Sequence, residues 1–443
     1  MKKEFTLLKD GIVVDTVQGQ IQHRDLIFDS TGKICTEEDI QHQADKVEVV
    51  ELNGKFISHA FIDLHTHTRI PSDMPRTEPL ENTYQAALSG GFTRLTAMAN
   101  TRPVIDTPEL VRQNLTIFGQ AHPTVRISQL SALTIGLKGE TLSPLEKIAE
   151  AGAAGFSDDG FWTANPRLMK EGMQRVHALG LKVFSHCEHP QLSPGGVIHN
   201  CRQADLWNLK IQGSLTESLA VLQDLKLAQE ASAPLHICHV STAESCRLIR
   251  QFKEQGVNVT AETAPHYFTL NSDQIVENSG RFKVNPPLRS EKDRQAIIQA
   301  LRDGAIDAIA TDHAPHPNAM KSGNFNQSAF GFIGLETALS LAITTLFARG
   351  EMGLYDIIRC FTTNPAKIAG ITLPPITIGQ NPDLTLFDPW AVWIPTEDHL
   401  RSNCKNSPFL NQKLTGKVTH VFSQGKLVYH DNPTANKGVI HAF

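Results

Sequence analysis

His65-Thr66-His67, the Asp158-Asp159 pair, His186, His239 and Asp312 are the residues of this 443-residue sequence best suited to chemistry. Imidazoles and carboxylates gathered at one site are a metal-binding inventory, and they suit zinc, manganese or cobalt. A metal held in this way lowers the pKa of water and polarises a carbonyl, which is the equipment of hydrolysis. In His65-x-His67 the side chains sit two apart on an extended chain, so both can reach one ion. A lone histidine at a strand end is more often a hydrogen-bonded structural residue, and a single His-x-His is weak evidence. Cys238, next to His239, reads as a small buried apolar residue on the opposite face of its strand. Asp63 reads as a structural hydrogen-bonding residue.

Those residues need elements that bring them together. Between Phe61 and Asp312 short β-rich runs alternate with helix-like segments, the pattern of a parallel sheet. The eight strand candidates are Phe61–Leu64, Phe92–Met98, Val125–Ser131, Ala153–Ser157, Leu181–Ser185, Leu235–Cys238, Val257–Ala261 and Ile306–Thr311. The first runs into His65-Thr66-His67, the fourth into Asp158-Asp159 and the fifth into His186. The sixth runs into His239 and the eighth into Asp312. Five strand ends of eight bearing ligand-type residues is hard to reconcile with chance. Helix punctuation fills the gaps: Ser143-Pro144 and Asn165-Pro166 as N-cap and N1, and Ser241-Thr-Ala-Glu244 with capping-box spacing. Eight such units over about 250 residues fit an α/β TIM (β/α)8 barrel, whose strand C-termini face the active site. An open doubly wound sheet is the rival. Residues 1–60 and 372–443 are β-rich instead, and they predict one small β-sandwich domain built from both termini. The barrel then occupies 61–371.

Composition removes other classes. Lys+Arg number 41 against 46 Asp+Glu, a formal charge of −5, with no basic block. That leaves no electrostatic footprint for nucleic acid or for an anionic membrane surface. The seven cysteines contain no C-x-x-C, so neither a disulfide framework nor a zinc knuckle is suggested. The start, MKKEFT, lacks the apolar stretch of a signal peptide, and no run of about 18 apolar residues occurs. The expectation is a cytoplasmic protein.

Longer motifs surround the ligand-type residues: FIDLHTHTR (61–69), GGFTRLTAMANTRPV (90–104), GAAGFSDDG (152–160), SHCEHP (185–190) and HICHVST (236–242). They continue through NPPLR (285–289), IATDHAPH (309–316), FGFIGLETAL (330–339) and TTNPAKIAGI (362–371). Across nearly the whole chain these resemble the amidohydrolase superfamily and, within it, the bacterial class I dihydroorotases. Hydantoinase-like relatives carry a carboxylated lysine near the FSDDG element. The class I enzymes resemble this chain in using aspartate, and no lysine lies in residues 148–169. The resemblance implies two zinc ions per chain, bridged by Asp159 and a hydroxide, with Asp158 the nearby alternative. One ion would take His65, His67, Asp159 and Asp312; the other would take Asp159, His186 and His239. It further implies substrate contacts from His67, Thr68, Arg69, Asn100, Asn285, His316 and the Phe330-Gly331 backbone. Arg69 would hold a carboxylate as a bidentate fork, supported by Asn100. His313 reads as supporting or structural. Some positions depart from the family's pattern. The usual R-E-P-G is Arg69-Ile-Pro-Ser72, followed by DMPRTEP (73–79); the usual Pro-Gly is His59-Ala60; and MPNT is Met98-Ala99-Asn100-Thr101.

The activity so implied is reversible closure of N-carbamoyl-L-aspartate to L-dihydroorotate. A bridging hydroxide would be the nucleophile, with Asp312 as general acid and base. The glycine-containing stretch 315–330 would suit either a mobile loop over the site or a solvated connector. Another cyclic amide hydrolase, an allantoinase or dihydropyrimidinase, would keep the barrel and metals, but Arg69 and the absent lysine argue against it. An inactive scaffold for aspartate transcarbamoylase should have lost ligands, and all six are present. The resemblance leaves room for association with that enzyme and for a homodimer.

Overall fold

A computed structural model of the chain describes residues 4–72, 78–122 and 124–431. Five strands come before the barrel: β1 (Glu4–Asp15), β2 (Gln20–Asp29), β3 (Ile34–Cys35), β4 (Lys46–Glu51) and β5 (Phe56–His59). The next eight are β6 (Phe61–Thr66), β7 (Phe92–Ala97), β8 (Arg126–Ser131), β9 (Gly155–Phe156), β10 (Val183–Ser185), β11 (Leu235–Ile237), β12 (Val259–Thr263) and β13 (Ala308–Ile309). β14 (Leu384–Trp393), β15 (Leu414–Ser423) and β16 (Lys426–His430) follow.

β6 to β13 are paired in strict sequence order. A doubly wound sheet would reverse its order at a switch point, and no reversal occurs, so the barrel is the observed architecture. Its seam is closed by side chains as well as backbone. A parallel bridge joins Thr66 to His313, and His67 N donates to His313 O at 2.9 Å. Asp63 accepts from Thr66 Oγ1 at 2.6 Å and from Thr311 N and Oγ1 at 2.8 and 2.6 Å. Asp63 thus fastens β6 to the chain leaving β13, the structural role its place in the strand suggested.

The helices start where polar caps allow. Asn165 caps Pro166–Ala178 through the amides of Arg167 and Leu168. Two expected caps differ. Ser143 caps nothing: its hydroxyl is buried without a partner, and Leu145–Glu150 begins after Pro144. Helix Ala243–Glu254 is capped by Thr242, which accepts from Ser245 N at 3.2 Å. The hydroxyl of Ser241 is engaged by Glu217 instead, which displaces the cap by one residue.

Strands from both termini form one second sheet, in the order β16-β15-β14-β5-β1-β2-β3, with β4 also on β1. Phe28 on β2 stacks on Phe422 on β15 with ring centroids 5.9 Å apart, although three strands separate them in the sheet. The sheet is therefore bent over a shared apolar core that includes Leu8, Leu26, Ile57 and Leu386. The tail beyond Asp431, and residues 73–77 of the segment after Arg69-Ile-Pro-Ser72, lie outside the described residues.

Candidate metal centre and active site

All six ligand candidates are buried and converge at the C-terminal ends of the barrel strands. Asp159 lies at the middle. Its Oδ1 is 3.4 Å from His65 Nε2 and 3.5 Å from both His186 Nδ1 and His239 Nε2; its Oδ2 is 3.6 Å from His67 Nε2. Asp312 Oδ1 lies 3.2 Å from His67 Nε2 and 3.7 Å from His65 Nε2. Asp158 turns the other way, accepting from Thr134 N, Thr134 Oγ1 and Thr163 Oγ1 at 3.0, 2.6 and 2.8 Å. Of the Asp-Asp pair, the second faces the histidines.

The backbone is bent to achieve this. Arg69, His239 and Asp312 take φ of 58°, 33° and 48°, in the left-handed region. Each costs about 1–3 kcal/mol unless its surroundings hold it. The turn at His239 breaks strand alternation. Cys238 therefore does not point away from the site: its sulfur lies within 4.8 Å of ligand atoms of His65 and Glu262. Burial pushes that thiol up to about 12, so it remains neutral and packs as a small apolar group.

The residues present fit a pair of divalent ions. The sets His65–His67–Asp159 and Asp159–His186–His239 each bring their ligand atoms within 4.8 Å of one another, and they share Asp159. His65 Nε2 and Asp159 Oδ1 are buried without a hydrogen-bond partner, a costly arrangement that an ion would relieve. The electrostatics agree. Burial alone would raise the Asp159 pKa, but His65, His186 and His239 hold it well below the usual carboxylate range. Burial alone would lower His186, but Asp159 and Glu188 lift it to about 10. The excess positive charge borne there by imidazole protons is charge that a metal displaces on binding.

Carboxylates behind the histidines were not singled out from the sequence. Glu262 Oε1 is 3.1 Å from His65 Nδ1, and its other oxygen is 3.2 Å from His236 Nε2. Glu188 Oε2 is 3.0 Å from His186 Nε2. A carboxylate on the far nitrogen fixes which ring nitrogen is free to ligate. Glu262 was missed because β12 runs to Thr263, two residues past its expected end, which makes Glu262 a strand-end carboxylate.

The remaining candidates surround an adjoining cavity. Arg69, Asn100, Thr101, Arg102, His316 and Met320 are among the residues lining about 210 Å³ of space. Asn100 spans the proposed ligands, with Oδ1 3.0 Å from His67 Nδ1 and Nδ2 donating to Asp159 Oδ2 at 2.8 Å. Among the described residues no carboxylate lies within ion-pair distance of Arg69. Its Nε is buried and unpartnered, and its Nη2 is 3.2 Å from His316 Nε2. Thr68 is buried, its hydroxyl also unpartnered. Asn285 lies beside His186, donating to Glu188 Oε2 at 2.6 Å and accepting from Gln212 Nε2 at 2.8 Å.

The Phe330-Gly331 backbone is engaged within the chain: His316 Nε2 lies 2.7 Å from Phe330 O, and Gly331 N donates to Lys283 O at 3.0 Å. The stretch 315–330 is tied down by buried Lys321, whose Nζ donates to Lys283 O, Ala329 O and Gly331 O at 3.1, 2.8 and 2.7 Å. His313 pairs with Glu78 at 3.0 Å, away from the ligands.

The amidohydrolase family model matches residues 56–428. The dihydroorotase of Syntrophus aciditrophicus (strain SB) is 37% identical over 96% of this chain and 99% of its own length. That of Pelotomaculum thermopropionicum is 38% identical over 96% of this chain and 98% of its own. Among solved structures, the L-hydantoinase (dihydropyrimidinase) from Arthrobacter aurescens has a TM-score of 0.83 at 24% identity, covering 98% of each chain. That likeness speaks to the fold alone. With a model matched over most of its length and full-length relatives at this identity, the chain belongs to the amidohydrolase family.

Proposed function

We propose that this chain is a dihydroorotase, catalysing the reversible cyclisation of N-carbamoyl-L-aspartate to L-dihydroorotate and water in pyrimidine (UMP) biosynthesis. The observation that carries the reading is a half-buried Arg69, without a carboxylate partner among the described residues, lining a cavity that adjoins a carboxylate shared by two histidine sets. A ring substrate with a carboxylate of its own is what such a cation selects. The full-length relatives named dihydroorotase support it.

His65, His67, Asp159 and Asp312 would hold one zinc ion, and Asp159, His186 and His239 a second. Bound there, the ions lower the pKa of water and polarise the ring amide carbonyl. Arg69 grips the substrate carboxylate in a bidentate fork, next to His316. Asn100 holds His67 and Asp159 in fixed relation. Burial alone would raise the Asp312 pKa, but His67 and His65 keep it below the usual carboxylate range. It is thus ionised and able to take a proton from the attacking water and pass it to the ring nitrogen. The loop tied by Lys321 covers the cavity from the side of His316 and Met320.

Every residue this reading uses lies on one chain. The barrel is assigned to 61–371 and the smaller domain to 1–60 with 372–443. The seven cysteines are free, which supports a reducing, cytoplasmic setting. The test is hydrolysis of dihydroorotate by the purified chain beside dihydrouracil and hydantoin, repeated with Arg69→Met. Preference for dihydroorotate that vanishes in the variant supports the reading. Equal or better turnover of the uncharged rings overturns it in favour of another cyclic amide hydrolase.

A further inference from the structure

A second cavity, of about 230 Å³, lies at the opposite ends of the barrel strands from the histidines, where β7 and β8 meet the terminal sheet. Arg94 and Arg126 both line it, and they stand side by side at one register of the two parallel strands. Like charges placed directly across a strand pair repel. One carboxylate, Asp383, lines the cavity with them, and it is fully occupied. It pairs with Arg126 and accepts from Thr93 Oγ1 at 3.3 Å, Ser423 Oγ at 3.3 Å and Gln424 N at 2.8 Å.

Arg94 is left over. Among the described residues its guanidinium has no ion pair and no hydrogen bond, and its Nε is buried, as is the unpartnered Nε of Arg126. Burial lowers the pKa of both, and Arg94 adds to the lowering at Arg126, which falls to about 10. The other titratable group on the cavity is His59. Burial lowers its pKa, and its Nε2 is 2.9 Å from Pro374 O, so it brings no countercharge. His59 is also one of the departures from the family's motif. Arg94 is half-buried beside a like charge with no anionic partner among the described residues, and a bound anion is the ordinary remedy.

We propose that this cavity is a binding site for a small oxyanion, phosphate either free or as the terminal group of a metabolite, held by the Arg94 fork with Arg126 beside it. The site is separate from the reaction centre and does not depend on the reading above.

The test uses the purified full chain, with inorganic phosphate titrated against chloride at matched ionic strength, read by calorimetry and by thermal unfolding. A ligand that binds the native state raises Tm with the logarithm of its concentration above saturation. The expected result is a saturable rise with phosphate, and an affinity lower by on the order of 30-fold or more in Arg94→Met. In chloride the variant should be at least as stable as the wild type, because the like-charge repulsion with Arg126 has gone. A nucleoside monophosphate serves as the other arm. Binding of it without binding of inorganic phosphate assigns the oxyanion to a metabolite; binding of both assigns phosphate itself. No saturable response to either ligand overturns the proposal, as does a response that Arg94→Met retains. An Arg94→Met chain that cannot fold overturns it too, since the guanidinium would then be structurally paired.

Discussion

The Glu262 carboxylate sits 3.1 Å from His65 Nδ1, the ring nitrogen turned away from Asp159. Burial alone would raise its pKa, but His236 and His65 draw it down to about 2, so it stays ionised. An ionised acceptor on Nδ1 keeps the proton there and leaves Nε2 free to face Asp159. Glu262→Gln should therefore weaken metal retention by about 10–100-fold while the barrel still folds. Metal content after dialysis against a graded chelator measures this. Retention equal to wild type would remove Glu262 from the account.

Asp224 gives a pH signature. It is fully buried, bonded to Trp162 Nε1 and Ser185 Oγ at 3.0 and 2.6 Å, and burial raises its pKa from 3.8 to about 6. The folded state thus holds this proton more tightly than the unfolded chain does. Stability falls as pH rises from about 4 to about 6, and above that the penalty is constant. Asp224→Asn lacks the penalty, so its stability relative to wild type should climb by about 3 kcal/mol across that window and then level off. Thermal unfolding of both chains between pH 4.5 and 7.5 reads the upper part of the rise, about 2 kcal/mol. A flat difference would show that the carboxylate is ionised in the fold throughout.

Gly331 is held at φ 100°, and a Cβ there would stand 2.5 Å from Ala314 Cβ. Gly331→Ala must push apart the segments that carry His316 and Phe330. We expect about 1–3 kcal/mol of lost stability and a higher KM for dihydroorotate. Unfolding and Michaelis kinetics on the variant test this; unaltered KM would separate the loop from substrate binding.

Much of the fold was legible because strand alternation and helix punctuation are local signals. All eight barrel strands overlap their expected segments, with β6 and β12 each running two residues further, and the six ligand candidates stand at strand ends, where a barrel makes them converge. What stayed hidden depends on contacts far apart in the chain. Glu262 matters through His65 and His236 on other strands, and nothing next to it in VNVTAET marks those contacts. The orientation of Asp159 over Asp158 rests on Thr134 and Thr163 taking up the first carboxylate. Cys238 was placed on the wrong face because a left-handed turn at His239 is invisible to a period-two rule. The unpaired state of Arg94 emerges only when β7, β8 and the C-terminal strands are assembled around one cavity.

The most direct test of the central claim is metal content by mass spectrometry, with dihydroorotate hydrolysis on the same samples of wild type and Asp312→Ala. The account requires about two divalent ions per wild-type chain and turnover that collapses by on the order of 100-fold or more in the variant. Wild-type protein without metal and without turnover, or Asp312→Ala at full activity, would contradict it.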